Sequence, residues 1–269
     1  MKRLLILLLL LLPLPAHAAG VWMYGGMGGW TPASPTGGGA LPVHWYSADG
    51  TNYQDSAGTI LAINDGDVIG KLTDYGSVLS GVSQPTTDNK PTLQVNEKNG
   101  RSVWRFDGSN DWMQSGIFTV ITQPYTMIVV AQLDSSVVND NSYRYITDNS
   151  VRMVIGQTPT GAPDLWFLNA GTELNASVVS NANWNIWSAL CNGASSQFWL
   201  NGTSIASGNA GTGTPNGITI GARYSKDSAF WKGNIAEIII YGSNLSTADK
   251  NQLGQYLSSK YGISYTAIP

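Results

Sequence analysis

The chain has 269 residues and a formal net charge of −3, and only 12 % of its residues are charged. A surface this weakly acidic has no electrostatic footprint for nucleic acid or anionic lipid, which excludes both as partners. Ten Trp, 31 Gly and a single Cys describe many short strands joined by tight polar turns, held by packing and not by an internal disulfide.

Residues 1–18 read as a secretory signal peptide. Lys2 and Arg3 precede an apolar run from Leu4 to Leu12, followed by Pro13, Pro15 and the small-x-small triplet Ala16, His17, Ala18. Cleavage is expected after Ala18, giving a secreted protein, extracellular or periplasmic. The remainder carries twelve basic and seventeen acidic residues, a net charge of −5. The leader's apolar run is shorter than the ~20 residues of a spanning helix and no later segment reaches that length, so no transmembrane segment is expected. Residues 19–42 form a lead-in broken up by Gly and Pro, in which Trp22, Tyr24 and Trp30 call for packing on the following domain or on another protein. Residues 43–269 are expected to form one domain.

The first strands fall between residues 43 and 100. Alternation through Val103 to Phe106 then puts Trp104 and Phe106 on one face, taken as core-facing. Further strands are predicted at Tyr125 to Leu133, Tyr143 to Asp148, Val151 to Gly156, Asp164 to Asn169, Leu174 to Val179, Trp184 to Cys191, Gln197 to Leu200, Ile218 to Ala222 and Ile235 to Tyr241. Asn201-Gly202 is a hairpin signal, because both residues tolerate positive φ. Cys191 alternates with Trp187 and Ala189, which suggests an inward-facing thiol. One helix is expected, capped by Ser246, with Asp249 in its first turn, Leu253, Tyr256 and Leu257 on one face, and Gly262 ending it. These signals predict an all-β fold, a two-sheet antiparallel jelly-roll sandwich with one short C-terminal helix.

Two stretches carry a family resemblance. The run RSVWRFDGSNDWMQSG, Arg101 to Gly116, contains a strand ending in Phe106-Asp107-Gly108, followed by Asn110, Asp111 and Trp112. The run NIAEIIIYGSNLSTADKNQLGQYLSSKYG, Asn234 to Gly262, joins an apolar strand to a helix ending in Tyr-Leu-x-x-Lys-Tyr-Gly. Together they resemble the laminin-G-like branch of the concanavalin A-like lectin/glucanase superfamily, over roughly residues 41 to 265. The region Gly66 to Gly76 is similar to another stretch of that family, although Leu72 stands where the family usually has Trp.

The chemistry of such folds leaves little trace here. A retaining glucanase needs two carboxylates about 5 Å apart. The only Glu residues, Glu97, Glu173 and Glu237, lie far apart in sequence and outside the paired pattern. The resemblance implies that Glu237, inside the late strand, is structural. The lyase motifs of related jelly rolls are absent, and His44, the one His beyond residue 18, has no Gly-x-Ser-x-Gly elbow to join. His and Cys spacing offers no standard zinc site.

A hard cation is the better metal case. Asp107, Asn110 and Asp111 are candidate calcium ligands, and the loop Asp134 to Asn141 offers similar oxygens. The resemblance also implies calcium at sheet-edge loops, whereas Asp, Asn and Gly equally make turns without a metal. Trp112, Tyr143, Tyr145, Trp166 and Trp231 are candidates for stacking on a ligand ring, each with core packing as its alternative. The expected function is recognition without catalysis, of a glycan or a surface protein. Alternatives are a structural or assembly component, such as a phage virion or cell-surface docking domain, and a glycan-degrading enzyme with an atypical site.

Overall fold

The computed structural model describes residues 41–161 and 163–269. The expected signal peptide and nearly all of the lead-in therefore lie outside the described residues. The chain runs through β1 (His44–Ser47), β2 (Asn52–Tyr53), β3 (Lys71–Leu72), β4 (Val82–Ser83), β5 (Thr92–Lys98) and β6 (Arg101–Asp107). Next come β7 (Met113–Ser115), β8 (Tyr125–Leu133), β9 (Arg144–Tyr145), β10 (Thr147–Asp148), β11 (Val154–Thr158) and β12 (Leu165–Asn169). The last are β13 (Glu173–Val179), β14 (Trp184–Cys191), β15 (Ser196–Leu200), β16 (Thr203–Gly208), β17 (Thr219–Ile220) and β18 (Lys232–Tyr241), followed by α1 (Thr247–Tyr261).

One sheet of eight strands has the order β16-β15-β14-β8-β18-β6-β5, with β1 added beside β18. Two smaller sheets, β10-β17-β7-β4-β3-β2 and β13-β12-β11-β9, pack against its inner face. All pairings are antiparallel. Met127, Val129 and Ala131 of β8 face the inter-sheet core with Trp104, Phe106, Trp166, Trp187 and Trp231. Ile128 and Val130 point the other way, onto Leu253, Leu257 and Tyr261 of α1. A strand covered on both faces explains why β8 reads as a continuous apolar run without alternation. Each buried Leu on the helix contributes about 1.5 to 3 kcal/mol of transfer free energy.

Local chemistry sets the element ends. Ser246 accepts a hydrogen bond from the Asp249 N–H and donates its own hydroxyl to Asp249 Oδ2 at 2.7 Å, so the first turn of α1 is capped from both directions. Gly262 closes the helix at φ 59° and donates to Ser258 O. Asn201 (φ 50°) and Gly202 (φ 83°) form the two-residue turn between β15 and β16, as their residue types predict. Cys191 is fully buried, and burial pushes its thiol up to about 12.

Glu237 is wholly buried on β18 and accepts from Trp45 Nε1 (2.7 Å), Lys260 Nζ (2.7 Å) and Tyr261 Oη (2.6 Å). It staples β1, β18 and α1 together. Burial is the largest single influence on Lys260 and works against its charge, but Glu237, Tyr256 and Asp49 together outweigh it and hold the Lys260 pKa above the ordinary lysine value.

Two predicted strands differ from the structure in ways that shape the site. The run Tyr143 to Asp148 is divided at Ile146: β9 pairs with β11 of the four-stranded sheet, while β10 pairs with β17 of the six-stranded one. Ile146 is buried in the core at this crossing and bonds through its backbone to Ile155 and Gly221. The strand predicted from Val151 instead begins at Val154, because Arg152 N–H closes a turn on Asn149 O and Arg152 sits at φ 75°.

Candidate functional site

The chain's switch between sheets at Ile146 leaves a cleft of about 610 Å³ on the outer face of the four-stranded sheet. Alternation places Tyr143 and Tyr145 on this face, with their rings 5.6 Å apart in an edge-on arrangement. Phe167 of β12 completes a triangle of rings, 6.0 Å from Tyr143 and 5.6 Å from Tyr145. Gly156 separates Phe167 and Tyr145 across the sheet. A Cβ there would lie 2.2 Å from Arg144 O and 3.1 Å from the Phe167 ring, so only glycine admits this stack. Tyr145 is 7 % exposed, and burial keeps its phenol protonated by pushing it up to about 12, whereas Tyr143 is 40 % exposed and presents its ring to solvent.

Polar groups from three loops surround the aromatic floor. Glu173, at the start of β13, accepts from Tyr143 Oη at 3.3 Å and from Thr158 Oγ1 at 2.8 Å, one hydroxyl on each oxygen. Arg152 comes from the turn between β10 and β11 and donates to Asp148 Oδ2 at 2.7 Å. Burial raises the pKa of the wholly buried Asp148, against hydrogen bonds from Tyr224, Asn149 and Arg152. Its Oδ2 also accepts the Tyr224 N–H at 2.9 Å, so one oxygen draws the Arg152 turn and the Arg223–Tyr224 loop together. Arg223 lines the cleft and makes no side-chain hydrogen bond or ion pair within 4 Å among the described residues. Asn141 (φ 58°), Arg152 (φ 75°) and Ala229 (φ 55°) all line it in left-handed backbone, and Asn139 and Lys226 flank it in the same conformation. For Arg and Ala such a conformation costs about 1 to 2 kcal/mol each, and strain of this kind concentrates at binding sites.

Of the sequence candidates, Tyr143 and Tyr145 meet in this cleft. Trp166 does not: it occupies the inward position of β12, wholly buried, with its ring 5.0 Å from Trp187 and 6.5 Å from Trp231. The outward place beside it belongs to Phe167. Trp231 is likewise core. Trp112 is half-buried on the far flank of the 223–229 loop, where the Lys226 ammonium lies 5.2 Å over its ring. Glu173 is identified in the sequence only as an isolated carboxylate, and neither Arg152 nor Arg223 carries a local motif.

Asp107 and Asp111 lie in a second cleft of about 790 Å³ along β6 and β18. Asp107 Oδ1 accepts the Ser109 and Asn110 N–H groups, and Asp111 Oδ2 accepts the Asp107 N–H at 2.8 Å. The loop is a self-bonded turn about Gly108 (φ 80°), with Asn110 contributing its backbone amide. Among the described residues no group of three or more His, Cys, Asp or Glu side chains is placed to hold a metal. Charges in this second cleft answer one another: Arg105 bonds to Glu97 at 2.6 Å and to Asn234 at 3.0 Å, and Lys232 bonds to Ser136. The first cleft, by contrast, keeps unengaged donors.

No protein-family model matches the chain, and no curated protein matches it. Solved structures do. Domain 4 of a GH43 extracellular arabinanase from Geobacillus stearothermophilus, in complex with arabinotriose, matches with a TM-score of 0.53 at 15 % identity, covering 80 % of this chain and 99 % of that one. This chain is a β-sandwich. The ligand-binding domain of botulinum neurotoxin serotype D, in complex with N-acetylneuraminic acid, matches with a TM-score of 0.50 at 14 % identity, over 69 % of this chain and 48 % of that one. A Trypanosoma rangeli sialidase bound to the inhibitor DANA matches with a TM-score of 0.50 at 12 % identity, over 87 % and 36 %. The sandwich thus spans about half of the toxin chain and about a third of the sialidase chain, and at these identities the likeness is one of fold.

Proposed function

We propose that this chain is a secreted, laminin-G-like member of the concanavalin A-like sandwiches that recognises a glycan without cleaving it, through the cleft of Tyr143, Tyr145, Arg152, Glu173 and Arg223. The observation that carries this reading is the exposed Tyr143 ring, fixed edge-on to a buried aromatic pair and ringed by oriented polar groups. A sugar ring is held in that way, by apolar contact on one face and hydrogen bonds to its hydroxyls. Two of the similar structures are complexes with sugars, arabinotriose and N-acetylneuraminic acid, which supports the same class of ligand.

Binding without hydrolysis fits the carboxylates. Glycoside cleavage needs an acid and a second carboxylate on opposite sides of the bond. Here both Glu173 oxygens are engaged by hydroxyls, and Asp148 is buried behind Arg152. The reading does not depend on calcium: Asp107 Oδ1 and Asp111 Oδ2 bond within their own turn, away from this cleft. Export rests on Lys2, Arg3 and the Leu4 to Leu12 run.

The test is a glycan-array screen of residues 19–269, in calcium and in chelator, with Tyr143→Ala alongside. Binding that is equal in both buffers and lost in Tyr143→Ala is expected. Glycan binding unchanged in that variant would move the site elsewhere.

A further inference from the structure

The donor and acceptor inventory of the cleft is unbalanced, and the imbalance names a ligand charge. Its one lining carboxylate and its Asn169 amide oxygen already accept. Glu173 holds two hydroxyls, and Asn169 Oδ1 accepts the Gly171 N–H at 2.8 Å. The adjacent Asp227 accepts from the Ser225 and Ser228 hydroxyls at 2.7 and 2.9 Å. The donors remain. Arg152 engages one nitrogen with Asp148, and the Arg223 guanidinium engages none among the described residues. The two arginines are brought to one wall because Asp148 Oδ2 bonds both Arg152 and the backbone of Tyr224. This juxtaposition is built in at a cost, with Arg152 held at φ 75°. The cleft is thus edged by two guanidiniums, with Glu173 among its lining residues, Asp148 bonded to Arg152 and the Asp227 carboxylate near Arg223.

We propose that the ligand is an acidic glycan, whose carboxylate is received by Arg152 and Arg223 while its ring lies on Tyr143. A guanidinium presents a planar fork of N–H groups that matches a carboxylate, and such charge-assisted pairs are about twice as strong as neutral ones. Arg223 is the exposed, adjustable partner. Arg152, tethered by Asp148, is the fixed one. Asp148 is a positioning residue that touches the arginine and not the sugar.

The inference rests on the glycan reading of the same cleft, and one experiment separates the two. An array carrying carboxylate-bearing oligosaccharides beside their methyl esters and their neutral parents is probed with the native chain, Arg223→Gln, Arg223→Lys, Arg152→Gln and Tyr143→Ala. The acids are expected to bind about tenfold or more tightly than their esters, the worth of one charge-assisted contact. That preference should weaken as salt rises. Arg223→Gln should abolish it without shifting the melting temperature, and Arg223→Lys should restore part of it. Equal binding of acid and ester, still lost in Tyr143→Ala, overturns the acidic ligand and leaves the glycan reading standing. An acid preference that survives both Arg→Gln changes overturns the carboxylate seat. Binding to no glycan on the array overturns both.

Discussion

Two buried carboxylates show how the same functional group takes opposite roles. Glu237 has three donors around it, one of them the buried Lys260 ammonium; its removal strands Lys260 inside the protein. Glu237→Ala is therefore expected to cost about 3 to 5 kcal/mol in chemical denaturation, and a loss below about 1 kcal/mol would deny the staple its role. Asp111 has one N–H donor and the neighbouring Asp107 charge, and burial pushes its carboxyl up to about 6. Its folded pKa lies above the unfolded value near 3.8, so the native state binds the proton more tightly. The contribution to stability is full below about pH 4 and is lost as pH rises through about 6. Asp111→Asn keeps an acceptor for the Asp107 N–H and removes the charge. The native melting temperature should fall relative to that variant between pH 4 and pH 7, and parallel curves would contradict the assignment.

At the level of elements, legibility followed locality. Trp104 and Phe106, the Asn201-Gly202 turn, the Ser246 cap and the limits of β8 and β14 were readable because a few neighbouring residues determine each. Gly202 is the sharpest case: besides its φ of 83°, a Cβ there would lie 1.6 Å from Thr266 O. Gly202→Ala should destabilise the protein by about 1 to 3 kcal/mol, from backbone strain and overpacking together, measurable as a shifted urea midpoint with an unchanged slope. What could not be read was the break at Ile146. An alternating run looks the same whether its halves pair within one sheet or in two. Trp166 was misplaced for a related reason: adjacent Trp166 and Phe167 necessarily face opposite sides, and only the packing of the smaller sheet decides which ring goes inward.

Across the whole molecule, the candidate cleft was half legible. Tyr143 and Tyr145 share a face by simple alternation. Arg152, Glu173 and Arg223 reach them from three other connections, and the link between the two arginines passes through Asp148, whose role no short window of sequence reveals.

The position of β18 in the large sheet bears on how the chain assembles. It lies between β8 on one side and β6 and β1 on the other, yet it is the last strand made. Until Lys232 to Tyr241 arrive, the β16-β15-β14-β8 half and the β6-β5 half have no partner to join them. Completion of the large sheet therefore waits for contacts nearly two hundred residues apart, between β1 and β18, and refolding is expected in the millisecond-to-second class of non-local β proteins. A chain ending at Trp231 should show no cooperative unfolding transition at all, and one that melted cooperatively would mean the two halves can close without their keystone.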